Sequence, residues 1–442
     1  MSYFERATAV ELFEEFDRAH PDLEFFRHVW VDFSGILRQR ILTRSYCRQI
    51  YSANRRYGVG PAVMRKNITH TSAQGFCTKQ QVCHMVPDWY SVRTCHFSPG
   101  HAWVMCFAYC AEEADPFFQC PRYALARVIE RVESELPGAD VLFGCETEFI
   151  VLDLSLQALQ SPDNVVGWCT MTGLRDRKLE MLADIVRVLQ KSDIGVTHFH
   201  CEEPQQLELS TFPFPPMQAV DNLYYTQECL RVIALRYGYR ATVAIKPLPP
   251  PHETTSTVGL HFSLSGIATT EQDHFLAGVL NQLSVIAPFA MPTHDSYHRT
   301  SVDRYGTWIC WGTENRDVAI RRIKDGHWEL RLSDATANFF LLGTILLSVG
   351  LDGVLAKQIL SIRDLRSPST QVSSEVLEAH GIRERLPSTF RNSLELVRKS
   401  DYTEKLLGHD MKGLWLAIKE LDEDALCRMS DEERRKAYLQ HF

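Results

Sequence analysis

Glu146 and Glu148 stand two residues apart in VLFGCETEFIVLD, an otherwise apolar segment, and on a strand that spacing puts both carboxylates on one face. Like charges so placed repel, and burying them without a counter-charge is costly, so the face is either wet or holds a cation. Taken alone, the pattern favours the wet face. Other segments change that balance. In HFHCEEPQQLEL, Glu202 and Glu208 share parity if one strand holds its register across Pro204. In TVGLHFSLS, His261 projects opposite to Leu260 and Phe262, and in HWELRLSD, Glu329 and Arg331 share one face while Trp328, Leu330 and Leu332 share the other. Glu146, Glu148, Glu202, Glu208 and Glu329 with His261 make a hard, oxygen-rich ligand set suited to two Mg²⁺ or Mn²⁺ ions.

A basic group accompanies the acids: Arg299 in SYHRTSVDRYG, Arg316 and Arg321 in ENRDVAIRRI, then Lys324 and Arg331. Any one of these reads most simply as a solvated surface charge. Beside a divalent-metal site, however, guanidinium forks are what polyphosphate and carboxylate substrates require. The combination points to phosphoryl transfer, with metals neutralising phosphates and arginines stabilising the transferring group. Neither the GxxxxGK[ST] loop nor the kinase-type glycine loop with its catalytic-loop partner is present. His198 and His200 flank an acidic strand and read as satisfied structural histidines.

The elements that must position these residues are legible in outline. Val10, Leu12, Phe13 and Phe16 at helical spacing predict a leading helix, and FRHVWVDFSGILRQRIL predicts two strands about a turn at Ser34-Gly35. A small sheet-rich domain at 1–114 is expected to precede a catalytic domain at 115–442. In the latter, strands at 141–153, 197–211, 240–247, 257–265, 306–312, 317–323 and 327–333 alternate irregularly with helices at 121–136, 178–191, 219–237, 271–289 and 335–360. Half-exposed alternation in many strands indicates an α+β fold with an antiparallel sheet, not βα repetition. Ser430 to Glu433 forms a capping box for a final helix.

Composition sets limits on partners. With 47 Lys plus Arg against 55 Asp plus Glu, the net charge of −8 argues against nucleic-acid binding. The longest apolar run, Phe339 to Leu351, is 13 residues, short of the roughly 20 that span a membrane, and reads as a buried helix. The acidic N-terminal stretch excludes a secretory signal, and thirteen cysteines without a CxxC pair fit reduced thiols, so a cytoplasmic location is expected.

Seven segments in order resemble the glutamine synthetase family: WVDFSGILRQRIL, GCETEF, QQLELS, Gly259 to His261, SYHR, WGTENRDVAIR, and Glu329 to Asn338. The WG-x-x-NR segment and the phrase HWELR are most similar to the divergent fungal branch of glutamine synthetase-like proteins. The resemblance implies a β-grasp domain at 1–114 ahead of a catalytic domain with a curved antiparallel sheet, and an ATP-dependent ligase that converts a glutamate-like carboxylate to an acyl phosphate and then, with ammonia or an amine, to an amide. Carried over residue by residue, it implies that Glu148, Glu202 and Glu208 hold one metal and Glu146, His261 and Glu329 the other. Glu203 is an alternative to Glu202, because the spacing to Glu208 is about one residue short. Arg299 and Arg331 fall where the family holds the acid substrate; Arg316, Arg321 and Lys324 fall where it holds phosphates and nucleotide, and Ser263 where an ATP-site histidine stands. A homo-oligomeric ring with active sites between subunits is also implied.

Departures accompany the resemblance. YGVGPAVMRKN, residues 57–67, lacks the family's ammonium-site Asp, the flap Glu has no counterpart beyond Asp303, and His327 stands where a nucleotide-side Arg is expected. Retained positions serve metals and phosphates, while lost ones mostly serve the amino-acid end of glutamate and ammonium. A larger amine, carrying its own binding energy, is the nucleophile this favours. Two other readings stay open: a ring-forming pseudoenzyme with a structural or regulatory role, and a kinase that stops at the phosphorylated acid.

Overall fold

The computed structural model describes residues 10–53, 55–73, 82–109, 119–159, 167–249, 252, 254–300 and 307–442. The expected domain boundary at 114/115, Asp303 and part of the predicted 306–312 strand lie outside them. Strands β1 (Phe25–Val31), β2 (Leu37–Thr43), β3 (Tyr57–Val59), β4 (Cys83–Pro87), β5 (Arg93–Thr94) and β6 (His101–Tyr109) form one sheet in the order β2-β1-β6-β4-β3, with β5 on β6. The β1–β2 hairpin turns where the sequence places it. Asp32 Oδ1 accepts from Ser34 N at 2.9 Å and Ile36 N at 3.0 Å, and Gly35 supplies the positive φ of 84°. Asn338 Nδ2 donates to Asp32 O at 2.8 Å, tying this hairpin to the larger sheet's domain.

The second sheet is built from β7 (Asp140–Leu152), β8 (Val196–Cys201), β9 (Gln206–Thr211), β10 (Arg240–Thr242), β11 (Val258–Ser265), β12 (Trp311–Thr313), β13 (Ile320–Lys324) and β14 (His327–Leu330). Its order is β12-β13-β14-β11-β7-β9-β8, with β10 on the far end of β7, and its pairs are antiparallel except β12 with β13. Helices and strands alternate irregularly along the chain and the sheet is mainly antiparallel, which is an α+β arrangement and not a βα repeat. The apolar face is covered by helices. Phe275, on the helix Thr269–Asn281, lies 6.2 Å from the Trp328 ring of β14, which stacks in turn on Phe262 of β11 at 5.4 Å. The helix Phe339–Leu355, whose apolar run is too short for a membrane, is buried over nearly its whole length.

Several predicted elements differ: among the described residues the strand expected at 306–312 is Trp311–Thr313 and the helix expected at 335–360 is Phe339–Leu355, and three others change more. The segment 197–211 is a hairpin, because Glu202 to Gln205 form a turn in which Gln205 takes φ 70° and Gln206 N donates to Glu203 O at 2.9 Å. The helix expected at 271–289 is two, Thr269–Asn281 and Leu283–Ala290, meeting at Gln282. The strand at 240–247 stops at Thr242. The eleven described cysteines are free thiols, and no described helix is long and apolar enough to cross a membrane.

Candidate active site

Cross-strand register sets which side chains meet. Glu146 pairs with Ser210 and Gly259, Glu148 with Glu208, Glu208 with His200, His261 with Glu329 and Gly144, and Glu329 with Arg321. Alternation then sorts the sheet into two faces. Cys145, Phe149, Leu207, Leu209, Leu260, Phe262, Trp328 and Leu330 are buried on one; the acids, imidazoles and arginine share the other. Nine-tenths or more of Glu208 and Glu329 is nonetheless hidden from solvent.

Glu146, His261 and Glu329 bring one donor atom each within 4.8 Å of one another. His261 Nε2 lies 3.1 Å from Glu146 Oε1 but makes no well-aligned hydrogen bond, as befits two donors aimed at a common point. Gly259 keeps that point open, since a Cβ there would stand 3.3 Å from Glu146 Oε2 and 3.6 Å from Glu329 Oε1. On the far side of the ring, His261 Nδ1 is 3.0 Å from His327 Nε2. Burial, with His261 and Lys324 beside it, pushes His327 down to about 4, so that ring is neutral and suited to accept from Nδ1–H, which leaves the Nε2 lone pair for a metal. Burial raises the Glu146 carboxyl, but His261 and Arg331 outweigh it and hold the group below its ordinary value. These residues fit a divalent ion.

The other half of the acid set is arranged differently from the expectation. Glu202 lies in the turn, not on a strand with Glu208, so the shared-parity argument does not apply. Glu202 nevertheless approaches the site through His200, whose Nε2 is 3.0 Å from Glu202 Oε2. Glu148 Oε2 accepts from Thr257 N at 2.6 Å and Gln206 Nε2 at 2.7 Å. Burial, with Glu202 nearby, raises Glu148 to about 7 despite these donors; burial, with Glu146, Glu148 and Glu202 around it, raises Glu208 to about 8. Among the described residues, the ligand atoms that gather within 4.8 Å of Glu208 come from His198 and His200, the two imidazoles read from sequence as structural. The signal was present in their i, i+2 spacing but could not be used without the hairpin.

The basic residues divide. Arg331 Nη1 donates to Glu329 Oε1 at 2.7 Å, and Arg321 Nη1 to Glu329 Oε2 at 3.4 Å, so both guanidinium groups stand at the Glu146–His261–Glu329 cluster. Arg299 is 2% exposed, and its Nη1 and Nη2 donate to Leu332 O at 3.1 Å and Arg331 O at 2.8 Å. It holds the backbone that carries Arg331, where a substrate contact was expected. Arg316 and Lys324 are exposed, and Ser263 pairs with His327 one step along the same face.

The family profile "Glutamine synthetase, catalytic domain" matches residues 118–438. The chain belongs to the glutamine synthetase family. Members are ATP-dependent ligases that use divalent metals, which agrees with the chemistry of the acid and arginine groups. Protein fluG of Emericella nidulans is 26% identical over 447 residues, covering 99% of this chain and 51% of fluG, so the chain spans about half of that relative's length. Glutamine synthetase of Thermus thermophilus is 27% identical over 333 residues, 70% of this chain and 73% of the relative. Among solved structures, "Apo GmaS without ligand" superposes with TM-score 0.78 at 21% identity, covering 95% of this chain and 97% of that one. A "novel glutamine synthase homolog" gives TM-score 0.80 at 21% identity, covering 95% and 99%. These likenesses establish the glutamine synthetase fold.

Proposed function

We propose that the chain is an ATP-dependent carboxylate-amine ligase that activates a glutamate-like acid as an acyl phosphate and forms an amide with a larger amine in preference to ammonia. The observation that carries this reading is the convergence of Glu146, His261 and Glu329, flanked by Arg321 and Arg331, on the polar face of the sheet. Those three would hold one Mg²⁺ or Mn²⁺, and Glu148, Glu202 and Glu208 a second. When bound, the ions would neutralise the phosphates of ATP. Arg331 is placed to bind the acid substrate and Arg321 the transferring phosphoryl group, each by guanidinium forks. Arg316, Lys324 and Ser263 are assigned to phosphate and nucleotide, and Arg299 to fixing the Arg331 backbone. In the reaction the γ-phosphoryl moves to the carboxylate oxygen with release of ADP, and the amine nitrogen then displaces phosphate.

The described stretch 55–73, which covers the segment where family members carry the ammonium-site Asp, contains no Asp or Glu. An NH₄⁺ ion needs a negative pocket and a base, whereas a larger amine brings apolar contacts of its own. We further assign residues 1–114 to the small domain, residues 115–442 to the catalytic domain, and the active sites to the junctions of a homo-oligomeric ring. The test is ADP release from the purified protein with glutamate and ammonium, then with a panel of acids and amines, followed by mass analysis of products. Efficient glutamine formation at ordinary ammonium levels defeats the amine assignment. No ADP release with any pair, and no thermal shift with Mg²⁺ and nucleotide, supports a scaffold instead.

A further inference from the structure

β8 is the outer strand of the catalytic sheet, and two histidines on it face a buried acid. His198 and His200 alternate with Phe199, so both rings stand on one side of the strand, opposite Ser210 and Glu208 of β9. His198 has a hydroxyl at each ring nitrogen, and His200 has a carboxylate at one. His198 Nδ1 is 3.0 Å from Thr197 Oγ1 and its Nε2 is 3.1 Å from Ser210 Oγ, while His200 Nε2 is 3.0 Å from Glu202 Oε2. His200 Nδ1 is buried with no hydrogen-bond partner. Glu208 accepts from Ser210 Oγ at 3.3 Å and lies 3.8 Å from His198 Nε2; among the described residues no Lys or Arg pairs with it.

We propose that His198, His200 and Glu208 form a nitrogen-rich site for a divalent ion of borderline softness, Zn²⁺ or Co²⁺, in preference to Mg²⁺. Two imidazoles and one carboxylate are a three-protein-ligand set that leaves a fourth position open, here toward solvent, since His198 is 53% exposed. Mg²⁺ favours six oxygens and parts with its waters reluctantly, so a site with two nitrogen donors selects against it. The buried, unpartnered His200 nitrogen is a ligand position, and Glu202 at the other ring nitrogen is the carboxylate that orients it. The inference rests on the proposed ligase site and revises its second ion: His198 and His200 replace Glu148 and Glu202 as ligands beside Glu208, and Glu202 becomes a positioning residue for His200. The inference does not depend on amide synthesis.

The test uses the full chain stripped with a chelator and titrated with Co²⁺ in the presence of millimolar Mg²⁺. The Glu329→Ala background removes the other ligand cluster. The expected result is one Co²⁺ per chain with the strong visible bands of a four-coordinate ion, displaced by Zn²⁺ and not by Mg²⁺. His198→Asn and His200→Ala are each expected to weaken Co²⁺ binding by about tenfold or more. Because His198 is half exposed, that variant is expected to keep the parent's thermal unfolding profile, so a lost ion is distinguishable from a lost fold. Unchanged Co²⁺ affinity in His198→Asn overturns the proposal, as does the weak spectrum of a six-coordinate ion that Mg²⁺ displaces. Histidine-dependent Co²⁺ binding in a chain that releases no ADP would sink the ligase and leave the site standing; ADP release with histidine-independent metal binding would do the reverse.

Discussion

Two groups of buried charge in this molecule are built on opposite plans. At the junction of the two sheets, Arg122 donates from Nε to Asp221 Oδ1 at 3.1 Å and from Nη2 to Asp221 Oδ2 at 2.7 Å and Asp88 Oδ2 at 2.8 Å. Its guanidinium also lies 4.5 Å over the Phe107 ring, and Arg93, bonded to Asn222 at 2.9 Å, adds a second positive charge near Asp221. Acids and bases are matched there, two against two. On the polar face of the catalytic sheet, Glu148 and Glu208 sit opposite one another with no Lys or Arg pairing with either among the described residues. Burial alone therefore does not mark a functional charge. At Glu148 and Glu208 the mark is the lack of a Lys or Arg ion pair, and at Glu329 it is a carboxylate shared between arginines and an imidazole cluster that a cation can complete.

The largest expected effect lies at the junction. Arg122→Ala strands two carboxylates that are each at least 95% buried and is expected to lower stability by about 3–5 kcal/mol in urea unfolding. Added Mg²⁺ should recover none of it. A loss below about 1 kcal/mol would mean that the junction is as wet as the catalytic face, and the contrast would fail. Next comes Glu329→Ala, which is expected to cut ADP release by at least ~10²-fold, about 2.7 kcal/mol in barrier, while changing unfolding of the metal-free protein far less than Arg122→Ala does. Turnover that persisted would move the metal centre elsewhere.

How much of this was legible in the sequence follows from how local each feature is. Glu146, Glu148, His261 and Glu329 sit on strands whose alternation is unbroken, so parity alone put them on one face and the structure brings three of them together. Glu208 was legible as a residue but not in its company. The turn at Glu202–Gln205 reverses the chain, and no period-two pattern announces a reversal that rests on a non-glycine residue at φ 70°. The position of Arg299 was hidden for another reason: a guanidinium reads the same in sequence whether it meets a substrate or backbone carbonyls 32 to 34 residues away. The Arg122 network was not seen at all, since its partners lie 34 and 99 residues off and nothing in PRYALARV singles out that arginine.

A third, smaller effect sharpens the contrast through pH. In the metal-free protein Glu208 and Glu148 have folded values near 8 and 7 against an ordinary 4.5, so the folded state binds their protons more tightly than the unfolded chain. The stabilisation is fully present below about 4.5 and is lost as pH rises through 7 to 8. Glu208→Gln cannot ionise, and it is expected to be more stable than the parent at pH 8 by on the order of 2 kcal/mol, with the difference shrinking toward pH 5. Thermal melts across that range check it. A parent whose melting temperature held level between pH 5 and 8, or a Gln variant that offered no advantage at pH 8, would mean that the two acids already have a compensating charge.

The smallest expected effect tests whether the junction tolerates losing one acid. Asp88→Asn removes a charge but keeps a side-chain oxygen that can accept from Tyr90 N, a contact now 3.2 Å long. Arg122 retains its two-pronged pairing with Asp221, so no charge is left without a partner, and the expected cost is only about 1 kcal/mol. Asp221→Asn leaves one acceptor for Arg122, removes the charge and sets an NH₂ against the second prong, so it should cost more. Equal losses for the two would mean that Arg122 is shared evenly between the acids, and that the junction depends on net charge alone and not on the geometry of one bidentate pair.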